Sequence, residues 1–130
     1  MNKSITGIAA IIGVISIILG AFGAHALKEV LTPEQLISFE TGVRYQMYHA
    51  LFLLVVGMLN FISEKQKKNI LILTLIGVLL FSGSIYLLAT QSISGINFKF
   101  LGPITPIGGM FLIFSWLLLT IYSFGQKSAK

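Results

Sequence analysis

The sequence predicts an all-α membrane protein: a bundle of four transmembrane helices, with an interfacial helix leading into the second one. Of the 130 residues, 55% are hydrophobic and 10% are charged, whereas about a quarter of an average soluble domain is charged. Four uncharged apolar stretches lie at residues 5–24, 46–62, 70–90 and 104–124. Each is close to the roughly 20 residues that a helix needs to cross a bilayer. We therefore expect residues 1–130 to form a single transmembrane domain.

The charge distribution indicates membrane topology rather than nucleic-acid binding. The formal net charge is +5, but the basic residues are scattered at the ends of the apolar stretches and form no stripe that could follow a phosphate backbone. One set of ends carries six of them: Lys3, Lys65, Lys67, Lys68, Lys127 and Lys130. The opposite set carries three: Lys28, Arg44 and Lys99. The positive-inside rule then places both termini on the cytoplasmic side of a bacterial cell membrane, and we expect no nucleic-acid partner.

The first span is expected at residues 4–26, and it carries a stripe of small side chains. They recur every three or four positions, so they share one face of a helix where a neighbouring backbone can approach closely. They are Ala9, Gly13, Ser16, Gly20 and Ala24. We interpret the stripe as a helix-packing seam. The sequence GAFGAHA resembles a signal-peptide cleavage site, but the apolar segment is longer than a typical signal-peptide core, and we expect it to be retained.

The second helix is predicted to begin after Thr32. This threonine is a suitable N-cap, Pro33 suits the first helical position, and Gln35 completes a capping box. No stop signal is evident before residue 62, and a helix over 33–62 would be about 45 Å long, which exceeds the membrane core. We therefore expect an interfacial helix over residues 33–42, or a bend at Gly42, followed by a span over residues 42–62.

The third and fourth spans are expected at residues 69–91 and 103–124. A lysine-rich turn would precede the third span, and two prolines would open the fourth. Gly83 lies between two serines in the third span, which marks a place for close helix approach. The predicted helix-packing positions of the chain are therefore Gly13, Gly20, Ala24 and Gly83.

A group of polar side chains is predicted to lie near one end of the bundle. Glu40 and Arg44 are spaced i,i+4 with the acid first, which is the favourable order on a helix. Charged and imidazole groups at membrane depth are costly unless they are paired, so we expect the group to point into the bundle. This candidate polar cluster comprises His25, Glu40, Arg44, Tyr45, Tyr48, His49, Ser82 and Ser84.

Two interpretations of the candidate polar cluster are open. It is either a buried clamp that ties the first connection to the second helix, or a proton relay or ligand pocket built on its histidines and its charged pair. We expect no metal, because the two histidines lack a short ligand spacing such as HxxxH. We expect no catalytic residues either, since Ser82 and Ser84 lie in an apolar helix without a nucleophile elbow.

Four motifs that follow one another along the chain carry a family resemblance. They are GAFGAHALK (20–28), TGVRYQMYHAL (41–51), FSGSIYLL (81–88) and LGPITPIGG (101–109). Together they resemble the small bacterial membrane proteins of the domain-of-unknown-function family numbered four-two-three, an uncharacterised membrane-protein family. The resemblance implies a four-helix protein of the bacterial cell membrane and no established activity. Its motif residues carry over as His25, Tyr45, Tyr48, His49, Ser82, Gly83 and Pro106.

The function expected from these features is that of a non-enzymatic accessory or structural membrane protein. It would bind lipid or a membrane partner and would use no cofactor, because the sequence offers no acidic residue deep within a span, no catalytic triad and no large loop. The alternative is a subunit of a small oligomeric transporter or channel, whose outer vestibule is gated by the histidines. A third class, an intramembrane enzyme, would need Ser82 or His49 beside a cavity that holds a reactive partner.

Overall fold

The computed structural model of the protein describes residues 2–125, and over that range it contains helices and no strands. The α-helices are α1 (Lys3–Ala24), α2 (Pro33–Met58), α3 (Glu64–Ala89), the short α4 (Gln91–Ser94) and α5 (Ile104–Phe124). Two 3-10 turns lie in the connections, at Leu27–Glu29 and Lys99–Leu101. The predicted all-α class is confirmed, with five α-helices in the described range instead of four. The topology argument from Lys127 and Lys130 lies outside the described residues.

Capping boxes determine where α2 and α3 begin. Thr32 Oγ1 accepts a hydrogen bond from Gln35 N at 3.2 Å, and Gln35 Oε1 accepts from Thr32 N at 3.0 Å, as predicted. Ser63 and Gln66 form the same reciprocal pair, at 3.1 and 2.9 Å. The prediction of a separate lysine-rich turn is therefore wrong, because α3 begins at Glu64 and not at residue 69.

The second helix is continuous from Pro33 to Met58, about 39 Å at 1.5 Å per residue. Gly42 does not divide it; an added Cβ there would lie 2.8 Å from the Tyr86 ring, so the glycine makes room for α3. The expected continuation to residue 62 is wrong. The Gly57 carbonyl accepts hydrogen bonds from Asn2 N at 2.8 Å and Lys67 Nζ at 3.2 Å, which satisfies a carbonyl at the helix end.

The long helices pack in chain order, α1 on α2, α2 on α3 and α3 on α5. Consecutive long helices are antiparallel: Gly57 of α2 lies beside Thr6 of α1, whereas Phe39 lies beside Gly23. We call the end that holds residues 25–32 and 90–103 the distal end, and the end that holds Asn2 and residues 59–63 the proximal end.

The small-residue stripe of α1 faces α2, as the sequence predicted. Ala9 and Ser16 are fully buried, and added Cβ atoms at Gly13 and Gly20 would lie 3.9 Å from the Ala50 side chain and 3.5 Å from the Val43 side chain. Ala24, the last predicted member, is exposed. The seam therefore ends before Ala24, where α1 stops and the chain turns away.

The contact between α3 and α5 is a close helix approach, and it uses Gly77 and Gly108, which are not among the four predicted packing positions. An added Cβ at Gly108 would lie 2.7 Å from the Leu80 carbonyl carbon and 2.8 Å from Phe81 Cα. At Gly77 it would lie 2.6 Å from Leu112 Cδ2. The predicted position Gly83 faces only Leu79 of its own helix, at 3.9 Å, so it does not mark a close approach.

Large apolar side chains cover the outward surface of the four long helices. Those that are more than half exposed include Ile11, Ile17, Leu51, Val55, Leu79, Met110 and Ile113. Within residues 2–125, three helical segments are long and apolar enough to cross a membrane: Lys3–Glu29, Glu64–Ala89 and Lys99–Phe124. The second helix is not among them, because Arg44, Gln46 and His49 interrupt its apolar sequence. A membrane crossing by α2 therefore stays a prediction.

Candidate functional site

Gln46 joins three helices inside the bundle. Its side chain is 5% exposed; Nε2 donates to the Ile12 carbonyl of α1 at 3.2 Å, and Oε1 accepts from the Tyr86 hydroxyl of α3 at 2.6 Å. Ser16 Oγ donates to the same Ile12 carbonyl at 2.8 Å. The Ile12 carbonyl can only accept a hydrogen bond, so it must face the amide nitrogen of Gln46. The amide oxygen then accepts from the Tyr86 hydroxyl, and the two partners together assign the orientation of the Gln46 amide.

Ser82 and Ser84 extend these links to the remaining helices. Ser82 Oγ donates to the Gly42 carbonyl of α2 at 2.7 Å, and Ser84 Oγ is hydrogen-bonded to Thr105 Oγ1 of α5 at 2.5 Å. Both serines are almost fully buried. The prediction that they point into the bundle is confirmed, and α3 is hydrogen-bonded to a neighbour on each side.

His49 is held by a partner at each ring nitrogen. Its Nδ1 lies 2.6 Å from the Tyr45 carbonyl oxygen, and its Nε2 lies 3.1 Å from Trp116 Nε1. The carbonyl accepts and the indole N–H donates, so the partners assign the neutral imidazole with its proton on Nδ1. The indole also packs on Phe52, with ring centroids 4.1 Å apart. A proton relay or a ligand at His49 would have to displace one of these partners.

We call this hydrogen-bonded group the polar belt. It comprises the side chains of Ser16, Gln46, His49, Ser82, Ser84, Tyr86, Thr105 and Trp116 with the carbonyls of Ile12, Gly42 and Tyr45. Over residues 2–125, every buried side-chain nitrogen and oxygen has a hydrogen-bond partner. These satisfied hydrogen bonds stabilise one arrangement of the long helices. None of the residues belongs to the first connection, so the polar belt is a clamp between the long helices and not the predicted clamp of the first connection on α2.

The other members of the candidate polar cluster lie outside the polar belt. His25, Glu40, Arg44, Tyr45 and Tyr48 have exposed side chains, so the expectation that they point into the bundle is wrong for these five. The helical repeat explains the difference: Glu40, Arg44 and Tyr48 follow one another at i,i+4 along an outward row, whereas Gln46 and His49 lie on an inward one. Within the described range, Glu40 and Arg44 form no ion pair with each other.

Grooves on the surface of α2 are lined by members of the candidate cluster. An apolar groove of about 520 Å³ between α2 and α5 is lined by Tyr45, Tyr48, His49, Leu51, Phe52, Val55, Trp116 and Leu119. A smaller groove of about 290 Å³ between the distal halves of α1 and α2 is lined by Gly20, Gly23, Phe39, Glu40, Val43 and Arg44. We call the smaller one the charged groove.

A polar depression of about 350 Å³ lies at the distal end. Its polar lining is Glu34, Gln35, Ser38, Gln91 and Thr105. Neither histidine lines this depression, since His49 faces the apolar groove and His25 caps the end of α1. The histidine-gated vestibule of the alternative hypothesis therefore does not match this geometry.

A second polar group, which the sequence did not reveal, closes the proximal end. Lys67 is 1% exposed; its Nζ donates to the Gly57 carbonyl at 3.2 Å and pairs with Glu64 Oε1 at 3.5 Å. Asn2 Nδ2 in turn donates to Glu64 Oε2 at 2.5 Å. Three chain segments therefore meet through these side chains. Lys67 had been interpreted only as a topology charge.

The polar belt includes residues that sequence reasoning missed or did not assign to the cluster. Gln46 was treated as the first residue of an apolar stretch, although an amide at that depth requires partners. Trp116 was not assigned as a partner of His49. In residues 2–125, no three His, Cys, Asp or Glu side chains come together in an arrangement that could hold a metal ion.

Helices with apolar outward faces around an internally hydrogen-bonded set of polar groups define an α-helical membrane protein. Residues 19–109 match the DUF423 family, described as proteins of unknown function. The chain belongs to this family, as the four motifs indicated.

Curated relatives cover almost the whole chain. A UPF0382 membrane protein of Haemophilus influenzae is 38% identical over 127 residues, which is 98% of each chain. The UPF0382 membrane protein YwdK of Bacillus subtilis is 39% identical over 119 residues, 88% of this chain and 90% of the relative. A UPF0382 membrane protein of Schizosaccharomyces pombe is 34% identical, covering 91% of this chain and 99% of the relative. No solved structure matches the chain.

Proposed function

We propose that the protein crosses a bacterial cell membrane four times, with both termini in the cytoplasm. The support comes from the contact between α1 and α2. The two helices touch near the proximal end, where Gly57 meets Thr6, and near the distal end, where Phe39 meets Gly23. A helix that lies beside a spanning helix over this length crosses the same thickness. Its two buried polar side chains, Gln46 and His49, are compatible with that depth because both belong to the polar belt.

Within the membrane, the protein acts as a non-enzymatic accessory or structural protein that binds lipid or a membrane partner. One observation carries this proposal: the buried polar side chains over residues 2–125 are all hydrogen-bonded within the protein. Groups used in this way stabilise the contacts between helices. Features open to a ligand include the apolar groove and the charged groove on the outward surface of α2, and the polar depression at the distal end.

The topology can be tested by cysteine labelling, because the chain has no cysteine of its own. Single variants Lys28→Cys, Lys65→Cys and Lys99→Cys are expressed in intact cells and treated with a membrane-impermeant maleimide. We expect labelling of Lys28→Cys and Lys99→Cys from outside, and of Lys65→Cys only after permeabilisation. Labelling of Lys65→Cys but not of Lys99→Cys in intact cells would instead show that α2 stays on one side.

The function can be tested by reconstituting the purified protein into liposomes and measuring proton and potassium flux. We expect flux no greater than that of empty liposomes. We also expect His49→Ala to lower the heat stability of the purified protein, because it removes the partner of Trp116. His25→Ala serves as the matched exposed control and should leave stability unchanged. Ion flux that His49→Ala abolishes in a folded protein would refute the structural role.

The second candidate is a subunit of a small oligomeric transporter or channel, and the polar depression at the distal end favours it. Glu34 and Gln91 lie on its lining, near the outer membrane surface in the proposed topology. This candidate predicts flux in liposomes that Glu34→Gln reduces while Glu29→Gln, outside the depression, does not. Equal flux in both variants and in the wild type would count against it.

A further inference from the structure

The charged groove owes its shape to two glycines on α1. Gly20 and Gly23 line it without side chains, while Phe39 and Val43 of α2 form its apolar part. Added Cβ atoms at the two glycines would meet Val43 at 3.5 Å and the Phe39 ring at 3.2 Å. The groove is therefore a cleft between packed helices, and its two ionisable lining residues, Glu40 and Arg44, come from α2.

These two charges are free to bind a ligand. Glu40 and Arg44 are exposed, and in the described part of the chain neither side chain forms an ion pair or a hydrogen bond. They are one turn apart, with Arg44 about 6 Å closer to the proximal end along the helix axis. Their i,i+4 spacing would permit a direct salt bridge, but the two side chains do not form one. A carboxylate and a guanidinium therefore lie one turn apart, without partners among the described residues, on the edge of an apolar cleft.

The depth of the pair corresponds to the region of lipid headgroups. The hydrocarbon core is about 30 Å thick, which is about 20 helical residues. Counted from the proximal end of α2 at Met58, that thickness ends near residue 39. Arg44 then lies about 7.5 Å inside that boundary at 1.5 Å per residue, and its long side chain extends outward toward the phosphate level. Glu40 lies one turn farther out, at the boundary.

We propose that the charged groove binds a zwitterionic phospholipid with a primary ammonium headgroup, of the phosphatidylethanolamine class. Arg44 binds the phosphate, which guanidinium groups recognise in a bidentate manner. Glu40 accepts hydrogen bonds from the ammonium group, and the upper part of an acyl chain lies over Gly20 and Val43. The inference rests on the four-span placement proposed above and names the class of lipid that this protein would bind.

The pair of charges discriminates between headgroups. A phosphatidylglycerol headgroup offers the same phosphate but brings no cation to Glu40, whose carboxylate then repels the anionic lipid. A choline headgroup carries a positive charge but has no N–H to donate to the carboxylate. An ethanolamine headgroup satisfies both residues, so we expect it to bind most tightly.

Native mass spectrometry of the detergent-purified protein tests this selectivity. The protein is exposed to equal amounts of phosphatidylethanolamine, phosphatidylglycerol and phosphatidylcholine with identical acyl chains. We expect the ethanolamine lipid to dominate the bound fraction of the wild type. Arg44→Gln should weaken binding of all three lipids, and by roughly tenfold for the ethanolamine lipid, which is the effect of one charge-assisted hydrogen bond. Glu40→Gln should remove the preference over phosphatidylglycerol.

Matched controls keep the outcome interpretable. Glu29→Gln and Lys99→Gln remove one charge of each sign at the distal end outside the groove, and they should leave the lipid preference unchanged. All four positions are exposed, so the variants should keep the thermal stability of the wild type. Equal binding of the three lipids by the wild type, or an unaltered preference in Glu40→Gln, would overturn the inference.

The same experiment separates this inference from its alternatives. If a second copy of the chain occupied the groove, both charge variants would change the oligomeric mass and leave the bound lipid unaltered. That result would overturn the lipid assignment. Cysteine labelling that shows four spans, combined with no preference for the ethanolamine lipid, would refute only the present inference. Labelling that places both ends of α2 on the same side of the membrane would refute the topology on which the inference rests.

Discussion

The α1–α2 and α3–α5 interfaces both use small residues, but they use them differently. In the first, the glycines of α1 face side chains of α2: an added Cβ at Gly13 would lie 3.9 Å from Ala50, which is ordinary van der Waals contact. In the second, Gly108 of α5 lies against the backbone of Leu80 and Phe81. A periodic stripe of small residues therefore identifies the face that packs, whereas a single glycine marks the closest backbone approach.

Hydrogen bonding differs between the two interfaces as well. Gln46 bonds α2 to α1 through a side chain that reaches a main-chain carbonyl, a contact that needs space between the helices. The α3–α5 interface has the short Ser84–Thr105 hydrogen bond, beside backbones that touch at Gly108. Lipid is itself apolar, so moving apolar side chains out of it and into a helix interface releases little free energy. Helices in lipid are therefore held together largely by the van der Waals contact that close approach provides. We infer that steric fit dominates at α3–α5.

The largest effect is expected from Gly108→Ala. The methyl group would lie 2.7 Å from the Leu80 carbonyl carbon and 2.8 Å from Phe81 Cα, and backbone atoms cannot move aside as a side-chain end can. We expect a loss of about 3 kcal/mol in the free energy of unfolding. Unfolding by sodium dodecyl sulfate can be followed by the fluorescence of Trp116, the single tryptophan.

Gly109→Ala is the matched control for that substitution. Its methyl group would meet only the Phe81 ring, at 3.6 Å, so we expect the unfolding midpoint to stay near that of the wild type. If both variants unfolded at the same detergent concentration, the backbone contact at Gly108 would not be the reason for the glycine.

A smaller loss is expected from Gly77→Ala at the same interface. The new methyl group would lie 2.6 Å from Leu112 Cδ2 and 3.0 Å from Leu112 N. The leucine side chain can rotate away, although the backbone nitrogen restricts how far the helices adjust. We expect a loss of about 1–2 kcal/mol in the same assay. Gly83→Ala, which faces only Leu79 at 3.9 Å, should cost nothing, and a loss of equal size there would contradict the comparison.

Much of the fold follows from sequence rules, because helix starts and apolar length are local properties. Thr32 and Gln35 predicted the start of α2, and the stripe around Gly13 predicted the face of α1 that packs. The start of α3 could have been predicted in the same way, because Ser63 and Gln66 have the same spacing as Thr32 and Gln35. The glycine contact at Gly108 could not, since it depends on where the backbone of another helix lies.

The candidate site was predicted only in part, and the error has a physical cause. Ionisable residues were assumed to point inward because burial in lipid is costly. That cost is small near lipid headgroups, which is where the proposed topology places Glu40 and Arg44, and both side chains are exposed. The uncharged Gln46 attracted no attention, although it links three helices. Which side chains meet depends on the rotation of each helix about its axis, and no single segment determines that rotation.

Gln46→Leu tests how much the hydrogen bonds of Gln46 contribute to the packing of α2 against its neighbours. The substitution leaves the Tyr86 hydroxyl without its acceptor, and a buried hydroxyl that loses its partner destabilises the folded state. We expect a loss of about 1 kcal/mol, since hydrogen bonds between membrane helices contribute about 0.6 kcal/mol on average and up to about 1.7 kcal/mol. Tyr86→Phe and the double variant complete a thermodynamic cycle. Strictly additive losses in the double variant would show that the two side chains are not coupled.

The smallest effect is expected from Gly13→Ala, in the interface that the sequence predicted best. The added methyl group would make a single ordinary contact with Ala50, at 3.9 Å, and alanine favours a helix interior by up to about 1 kcal/mol relative to glycine. We therefore expect unchanged or slightly raised stability in the sodium dodecyl sulfate titration. A loss comparable to that of Gly108→Ala would mean that α1 and α2 approach more closely than their side-chain contacts indicate. The two interfaces would then be alike, and the small residues of both would act through backbone contact.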